Sequence, residues 1–403
     1  MTAAHAMTAL HLTHFTATSC LGEGLAPTRA ALEQARSGLT PCDFETADLA
    51  TYIGAVDGVD DIALPPQLQR FDCRNNRLAQ LALMQDGFAA AVRSTIARFG
   101  PRRIGIYLGT STSGILSTEI AYRHRDPVSG ALPPGFDYKG TQNSFSVVDY
   151  VGRLFGLEGP ALALCTACSS SAKVFAAAQR SIGAGQIDAA IVGGVDSLCL
   201  TTLYGFHSLQ LTSREPCRPF DLARDGLSIG EAAAFALLER VPAEPDPAAI
   251  LLLGAGESSD AYHMSSPHPD GAGARAAMSA ALSAAHLVPG DVDYINLHGT
   301  GTPSNDSAES RAVLGLFGEA TPCSSTKAAT GHALGAAGAL EAVICALALE
   351  SGLMPGGLNV RQHDPQLGLN YLTQNQRAPL RRVLSNSFGF GGANCALLLG
   401  RAA

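Results

Sequence analysis

Cys168 is the residue of this chain whose position best suits chemistry. It lies in the segment Gly159–Lys173, whose pattern predicts a strand, a sharp turn and a helix that begins at the cysteine. At a helix start, unpaired backbone N–H groups and the helix dipole favour a thiolate, which is the nucleophilic form of cysteine. The small neighbours Ala167, Ser169 and Ser170 leave room for a substrate carbonyl. This context favours a nucleophile.

Other interpretations of Cys168 stay open on these residues alone. A cysteine is more often part of a buried core than catalytic. Cys165 and Cys168 also form a C-x-x-C pair, which would suit redox chemistry or half of a metal site. However, no second cysteine pair stands nearby at zinc-finger spacing, and the aromatic–Cys–Gly–Pro–Cys context of thioredoxins is missing.

Two histidines and a lysine suggest which chemistry the cysteine would serve. His298 ends a predicted strand, His332 stands in a loop that feeds a Gly/Ala-rich helix, and Lys327 comes five residues earlier. The cysteine would hold an acyl group as a thioester. Loss of CO2 from a malonyl thioester would then leave an enolate, whose oxygen two neutral imidazoles can stabilise as donors. A papain-like Cys/His pair would leave the second histidine and the lysine without a role.

The glycine-rich segment Ser385–Asn394 precedes the last predicted strand. Its glycines permit unusual backbone angles and expose N–H groups. The segment is compatible with a plain β-turn. It is also compatible with an oxyanion-hole N–H opposite that of Cys168, with Phe388 and Phe390 as walls of a pocket.

Composition limits the classes of protein to which the chain can belong. Of 403 residues, 46% are apolar and 15% charged, as expected for a compact enzyme with a large core. The net charge of -8 excludes a general nucleic-acid surface, which needs surplus Lys and Arg. Met1–Phe15 lacks the pattern of a signal peptide, and no uninterrupted apolar stretch reaches the roughly 18–20 residues of a membrane span. We expect a cytoplasmic protein whose ten cysteines are free thiols.

Apolar or β-branched runs alternate with alanine-rich segments, which predicts an α/β fold with a sheet between helices. Strands are predicted at Arg103–Leu108, Ala161–Leu164, Ala189–Val192, Ala234–Leu238, Ile250–Leu253, Tyr294–Leu297 and Ala396–Leu399. Helices are predicted at Arg74–Arg98, Ser170–Gly183, Gly273–Ala285, Ser307–Phe317 and His332–Glu350.

A Gly-Thr turn follows a strand at Leu108–Gly114 and again at Leu297–Thr302, which suggests a duplicated fold without deciding it. The proline-rich segment Val241–Pro247 is the best boundary between two halves. We therefore predict halves at residues 1–245 and 246–403.

Several separated segments, in order, resemble the elongating β-ketoacyl-acyl-carrier-protein synthases (types I and II) of the thiolase superfamily. The segments are TACSSS around Cys168, Pro219–Ala233, Ser258–Pro267, His298–Asp306, the run from Lys327, and Ser385–Asn394. The resemblance covers roughly residues 100 to 400. It implies a thiolase-like duplicated αβαβα five-layer sandwich, with the nucleophile in the N-terminal half and the His/His/Lys set in the C-terminal half.

The resemblance also implies catalytic roles. Cys168 would be the acylated nucleophile, and His298 and His332 would bind the extender and promote its decarboxylation. His332 would also help to activate the thiol, and Lys327 would order this network. Phe390 would be a gate whose N–H completes the oxyanion hole with that of Cys168.

Further residues take supporting roles by the same resemblance. Thr300 and Thr302 would bind the phosphopantetheine arm of an acyl carrier protein, while Glu309 and Glu341 would lie near the lysine. The resemblance implies no permanently bound cofactor and no metal. Thr112 stands where the residue that limits the acyl pocket should be, which suggests short, polar or unsaturated acyl groups.

The chain departs from the family at Cys165, because a second thiol near the active site is unusual there. Acyl carrier proteins are acidic, so we expect a basic docking patch. The candidates, each compatible with a scattered solvated charge as well, are Arg70, Arg74, Arg77, Arg123 and Arg125.

Family members are usually homodimers, and a heterodimer with a related subunit is also compatible with the sequence. The expected reaction would serve fatty-acid, polyketide or polyene synthesis. Two alternatives are a degradative thiolase, which would need a second catalytic cysteine in the C-terminal half, and a chain-length-factor-like partner, which would lack the nucleophile. Cys168 with both histidines argues against each.

Overall fold

The structure, a computed structural model, describes residues 8–402, so the first seven residues of Met1–Phe15 and Ala403 lie outside the described range. Within it the strands are β1 Leu10–Ser19, β2 Gly22–Glu23, β3 Thr40–Pro41, β4 Tyr52–Gly54, β5 Ile104–Gly109, β6 Ala161–Leu164, β7 Ala189–Asp196, β8 Ile229–Gly230, β9 Ala232–Arg240, β10 Ile250–Ser259, β11 Tyr294–Asn296, β12 Cys323–Ser324, β13 Leu353–Met354, β14 Gln376–Arg377, β15 Arg382–Gly389 and β16 Ala393–Arg401. The α-helices are α1 Leu25–Glu33, α2 Arg74–Leu83, α3 Phe88–Phe99, α4 Ile115–Arg123, α5 Ser146–Phe155, α6 Ser170–Gly183, α7 Leu200–Ser208, α8 Ala272–Ala284, α9 Pro303–Phe317, α10 Lys327–Thr330 and α11 Ala337–Ser351.

Two five-stranded half-sheets share one arrangement. The first has the order β6-β5-β7-β9-β1, and the second has the order β12-β11-β15-β16-β10. In each, the first two pairings are parallel and the last two antiparallel. A short antiparallel pairing of β1 with β10 joins the halves. The suggested duplication is therefore confirmed.

Most of the buried hydrophobic side chains lie in three large cores, which define five layers. Along β9, Ala232, Ala234 and Ala236 face the central core with α6 and α11, whereas the alternate residues face α2, α3 and α5. This alternation is the period-two pattern of a strand that is covered on both faces. The second half-sheet lies between the central helices and α8 with α9. The predicted αβαβα sandwich is confirmed. The domain boundary at residues 245 and 246 falls between β9 and β10 and stays a prediction.

The duplication explains where the site residues come from. The repeated Gly-Thr turns follow β5 and β11, which are equivalent strands of the two half-sheets. In the first half, Cys168 lies in the connection from β6 to α6. In the second half, Lys327 and His332 lie in the connection from β12 to α11, which is its equivalent. The fold therefore brings these two connections to the same place.

Two predicted helices differ most from the structure in their limits. The helix expected over Arg74–Arg98 is broken into α2 and α3, because Asp86 and Gly87 have positive φ angles of 52° and 69°. The Asp86 carboxylate accepts hydrogen bonds from Leu25 N–H and, at 2.7 Å, from the Thr16 hydroxyl. Tertiary contacts thus fix a break that helix periodicity does not show.

The helix expected to begin at His332 begins at Ala337 instead. The backbone of His332 is engaged elsewhere: its N–H donates to Ser228 O at 2.7 Å, and its carbonyl accepts from Gly230 N–H at 3.0 Å. His332 therefore lies on an extended turn that is bridged to β8.

Strand β15 was missed, since its polar end over 385–389 was read as part of a glycine-rich loop.

Helix α11 forms the apolar middle of the central layer. The segment Leu334–Ser351 is long and apolar enough to cross a membrane by composition alone. However, 89% of it is buried inside the fold, where it packs between the half-sheets. It is a core helix of this protein.

Candidate active site

A strained turn presents Cys168. The residue lies two positions before α6, and Ala167 before it has a φ of 52°, which is rare for a residue with a side chain. Phe390 lines the same cavity as Cys168, and its backbone N–H lowers the pKa of the thiol. The glycine-rich segment therefore lies beside Cys168, where the prediction placed it.

The resting form of the nucleophile differs from the sequence expectation. Burial raises the pKa of Cys168 to about 11, even though the Lys327 charge and the Phe390 N–H lower it. The expectation of a thiolate at a helix start was wrong, because the thiol is fully enclosed and loses hydration. At neutral pH, Cys168 rests as a thiol.

His298 and His332 stand together beside the cysteine. Their rings lie edge to face, with centroids 5.3 Å apart. The Cys168 sulfur and one nitrogen of each ring all lie within 4.8 Å of one another. Burial, and then the Lys327 charge, hold the pKa of each histidine well below its ordinary value. Both imidazoles are therefore neutral, as the predicted chemistry requires.

Neighbouring donors fix where each imidazole carries its proton. The Lys327 ammonium faces His298 Nδ1 at 3.4 Å, and the Leu334 backbone N–H donates to His332 Nδ1 at 3.1 Å. Because each Nδ1 accepts, each Nε2 holds the remaining proton. The pair therefore presents two N–H donors.

The same hydrogen bonds argue against a metal at the Cys168, His298 and His332 cluster. A metal-bound histidine ordinarily donates its other ring N–H to a carboxylate or carbonyl. Here the other ring nitrogens face donors, so coordination through Nε2 would oppose both contacts. The arrangement suits a developing negative oxygen better than a cation.

Lys327 is held by two buried groups. Its ammonium donates to the His298 carbonyl at 2.5 Å and forms an ion pair with Glu341. Burial raises the pKa of Glu341 to about 7, against the lowering effect of Lys327. The lysine thus ties α11 to the strand end that carries His298.

Glu309 and Asp306, both on α9, shape the turn after His298. Glu309 accepts from His298 N–H and Gly299 N–H at 2.8 Å each, and burial raises its pKa to about 7. Asp306 accepts from Thr300 N–H at 3.1 Å. The sequence prediction included Glu309 but assigned no role to Asp306, although its spacing within the His298–Asp306 segment could have indicated one.

A cavity of about 50 Å³ opens over the cysteine. It is lined by Cys168, both histidines, Thr300, Thr302, Phe388 and Phe390, together with the unpredicted Phe206, Asp260, Ser265, Asn305 and Asn394. The hydroxyls of Thr300 and Thr302 lie 2.8 Å apart. Phe206 of α7 stacks on Phe390 at 5.5 Å. Phe206 gave no sequence signal, because an apolar helix residue usually belongs to a core.

Thr112 is not in this cavity. It is buried, and its hydroxyl donates to Asp196 at 2.7 Å. The hydroxyl is therefore engaged by the protein, and the sequence argument for a polar acyl pocket loses its basis. Cys165, in contrast, is exposed.

The proposed docking patch also needs correction. Arg74 is 8% exposed and forms a 2.6 Å ion pair with the fully buried Glu231, so it cannot meet a partner. Arg77 pairs with Asp72 at 2.6 Å and is half-buried. The remaining candidates, Arg70, Arg123 and Arg125, are exposed.

Comparison with known proteins identifies the family of this chain. The N-terminal domain of β-ketoacyl synthase matches residues 77–243, and the C-terminal domain matches residues 249–361. Nodulation protein E of Rhizobium meliloti is 34% identical over 304 residues, which cover 73% of this chain and 75% of that protein. The chain belongs to the β-ketoacyl synthase family.

Other members of the β-ketoacyl synthase family extend the comparison. The mitochondrial 3-oxoacyl-[acyl-carrier-protein] synthase of Arabidopsis thaliana is 39% identical over 267 residues, which are 62% of this chain. The match spans 58% of the plant enzyme, less than two thirds of its length. A ketosynthase from Xenorhabdus doucetiae, solved in complex with its chain length factor, superposes with a TM-score of 0.88 at 38% identity and full coverage of both chains. The resemblance seen in the sequence is confirmed.

Proposed function

We propose that this protein joins an acyl thioester to malonyl-acyl carrier protein by decarboxylative Claisen condensation, giving 3-oxoacyl-acyl carrier protein. One observation carries the proposal: a buried cysteine lies within 4.8 Å of two neutral histidines whose free N–H groups converge on one cavity. The relatives named as 3-oxoacyl-acyl-carrier-protein synthase and ketosynthase support it.

In the first step, the Cys168 sulfur attacks the acyl thioester, and the carrier's pantetheine sulfur leaves with the thiol proton. The N–H groups of Cys168 and Phe390 flank the developing oxyanion, as expected of an oxyanion hole. Because His332 presents an N–H toward the cavity, it promotes ionisation by stabilising the thiolate and not by removing its proton. In this way His332 would help to activate the thiol, as the resemblance implies.

In the second step, the carbon–carbon bond of the malonyl group breaks and CO2 departs. The electron pair forms an enolate, whose oxygen accepts from His298 and His332. The enolate carbon then attacks the acyl-cysteine carbonyl, and the Cys168 thiolate leaves and takes up one proton. Donors fixed before the reaction stabilise such charge without reorganisation. Thr300 and Thr302, at the wall of the cavity, are placed to bind the phosphopantetheine arm.

Acyl carrier protein is the proposed partner, and Arg70 and Arg125 are the exposed cations that we now favour for docking. We place the protein in the cytoplasm, in fatty-acid or polyketide synthesis.

A second subunit, which would be another copy of this chain or a related chain, would cover the edge strand β6. Leu162 of this strand is 37% exposed, and the nearby Phe145 is 41% exposed.

The alternatives find less support. A thiolase would need a second cysteine near the first, but Cys323, Cys345 and Cys395 are absent from the described lining of the cavity. A purely structural chain-length factor would not need the nucleophile and both histidines.

Intact-protein mass spectrometry tests the proposed function. After incubation with an acyl-carrier thioester, we expect the wild-type mass to increase by one acyl group and the Cys168→Ala mass to stay unchanged. The Cys165→Ala variant is the matched control and should acylate like the wild type. Acylation that survives Cys168→Ala would contradict the proposal.

A further inference from the structure

Asp196 is a buried carboxylate that the proposed reaction does not use. It is the last residue of β7 and is fully buried. Six groups donate to it at 2.5 to 2.8 Å. The donors are the hydroxyls of Thr110, Ser111 and Thr112 and the backbone N–H groups of Ser111, Thr112 and Gly335. Because all six groups donate to it, the site suits a carboxyl side chain, whose oxygens accept.

These contacts join two distant parts of the chain. Five of the six come from the turn after β5, at residues 110–112, and bring that turn onto Asp196. The sixth comes from Gly335 N–H, which donates to Asp196 Oδ2 at 2.5 Å. A Cβ on Gly335 would lie 2.8 Å from that same oxygen, so the close approach requires glycine.

Gly335 directly follows the residue that orients His332. The Leu334 N–H donates to His332 Nδ1, and Leu334 holds a φ of 49°, an unfavourable left-handed conformation for a leucine. Such strain persists where the surrounding contacts hold the backbone in that conformation. Asp196 holds the C-terminal side of this short turn, and His332 is its N-terminal residue.

We propose that Asp196 is a positioning residue that acts through Gly335 and Leu334 to fix the proton of His332 on the nitrogen that faces the substrate. This inference rests on the proposed function and deepens it, since it assigns a determinant of the decarboxylation step. Without the carboxylate, Leu334 would relax, and its N–H would no longer select the donor form of His332.

The substitution Asp196→Asn tests this assignment by replacing one oxygen with an amide NH2, which would oppose a donor. We expect CO2 release from malonyl-acyl carrier protein to fall by about 10- to 100-fold, which is the size of the loss when a partner that orients a metal-bound histidine is removed. We expect acylation of Cys168, measured by mass, to stay within about threefold of the wild type, because the N–H groups of Cys168 and Phe390 stabilise its oxyanion and the His332 N–H contributes only to ionisation of the thiol. The Asp188→Asn variant, which alters only the start of the same strand and its contact with Arg103, should match the wild type in both.

A milder variant keeps the test decisive if Asp196→Asn does not fold. Ser111→Ala removes one donor to Asp196 Oδ2 and also a hydroxyl that accepts from Gly335 N–H at 3.2 Å, so it should lower CO2 release about threefold with acylation unchanged. Equal loss of both half-reactions, or no loss in either variant, would overturn the assignment. Absence of both half-reactions in the wild type would instead contradict the proposed function.

Discussion

At the residue scale, the site depends on how burial changes each titratable group. Enclosure keeps Cys168 a thiol and both histidines neutral, while Lys327 and the Leu334 N–H determine which nitrogen of each ring donates. Cys168, His298 and His332 therefore carry no charge before an acyl thioester or a malonyl group binds. The N–H donors are in place before the reaction begins. They therefore stabilise the charge of the transition state without reorganising, and such sites gain most of their catalytic effect in this way.

The raised pKa of Cys168 predicts how its alkylation depends on pH. Because the value is about 11, the thiolate fraction should increase roughly tenfold for each pH unit between 7 and 10. The rate of modification by iodoacetamide, followed on the Cys168 peptide by mass spectrometry, should increase in the same way. A rate that levels off below pH 8 would contradict this result and would indicate a resting thiolate.

Residue types suggested Cys168, His298, His332 and Lys327, the family resemblance assigned their roles, and the structure brings the four residues together. The state of Cys168 could not be predicted, since it depends on enclosure by residues from both halves of the chain. The engagement of the Thr112 hydroxyl could not be predicted for a similar reason: its partner Asp196 lies on another strand.

At the scale of elements, helix and strand ends position the chemistry. The strands predicted from apolar runs are present with somewhat longer or shifted ends, and α6 begins and ends where it was predicted. The break between α2 and α3 and the late start of α11 escaped prediction, because contacts of Asp86 and of the His332 backbone with other elements cause them. The hydrophobic periodicity of a sequence predicts which face of a helix is buried, but it does not predict such contacts.

The ion pair of Arg74 with Glu231 should be important for stability. Glu231 also accepts from Val56 N–H and Leu198 N–H, so the pair joins α2 to two other segments. Arg74→Leu should lower the free energy of unfolding by about 3–5 kcal/mol, because it leaves a buried carboxylate without its cation.

Chemical denaturation measures this loss, and Arg70→Leu is the control. Arg70 forms an exposed pair with Asp137 and should contribute less than about 1 kcal/mol. Equal losses in the two variants would show that burial of the Arg74 pair has no special effect.

At the scale of the whole molecule, duplication of the fold explains why the nucleophile and the histidines come from different halves of the chain. Equivalent connections in the two halves carry Cys168 and the Lys327–His332 segment, and α6 and α11 pack side by side in the middle layer. The repeated Gly-Thr turns suggested this symmetry, but only the strand order of the two half-sheets decided it.

We expect a second subunit to cover the edge strand β6. Its apolar residues and unpaired edge resemble the surfaces that proteins ordinarily cover. Leu162→Asp should shift the protein from dimer to monomer in analytical ultracentrifugation, whereas the exposed Val288→Asp on another surface should not. A wild-type monomer, or a Leu162→Asp dimer of unchanged affinity, would contradict an interface at β6.

The central claim is that Cys168 carries the acyl chain while His298 and His332 act on the extender. Intact-protein mass spectrometry of His298→Ala and His332→Ala, incubated first with an acyl-carrier thioester and then with malonyl-acyl carrier protein, tests it most directly. We predict that the acyl adduct forms on each variant and then persists, with turnover at least 100-fold slower than in the wild type. Variants that never acquire the adduct, or that clear it at the wild-type rate, would contradict the claim.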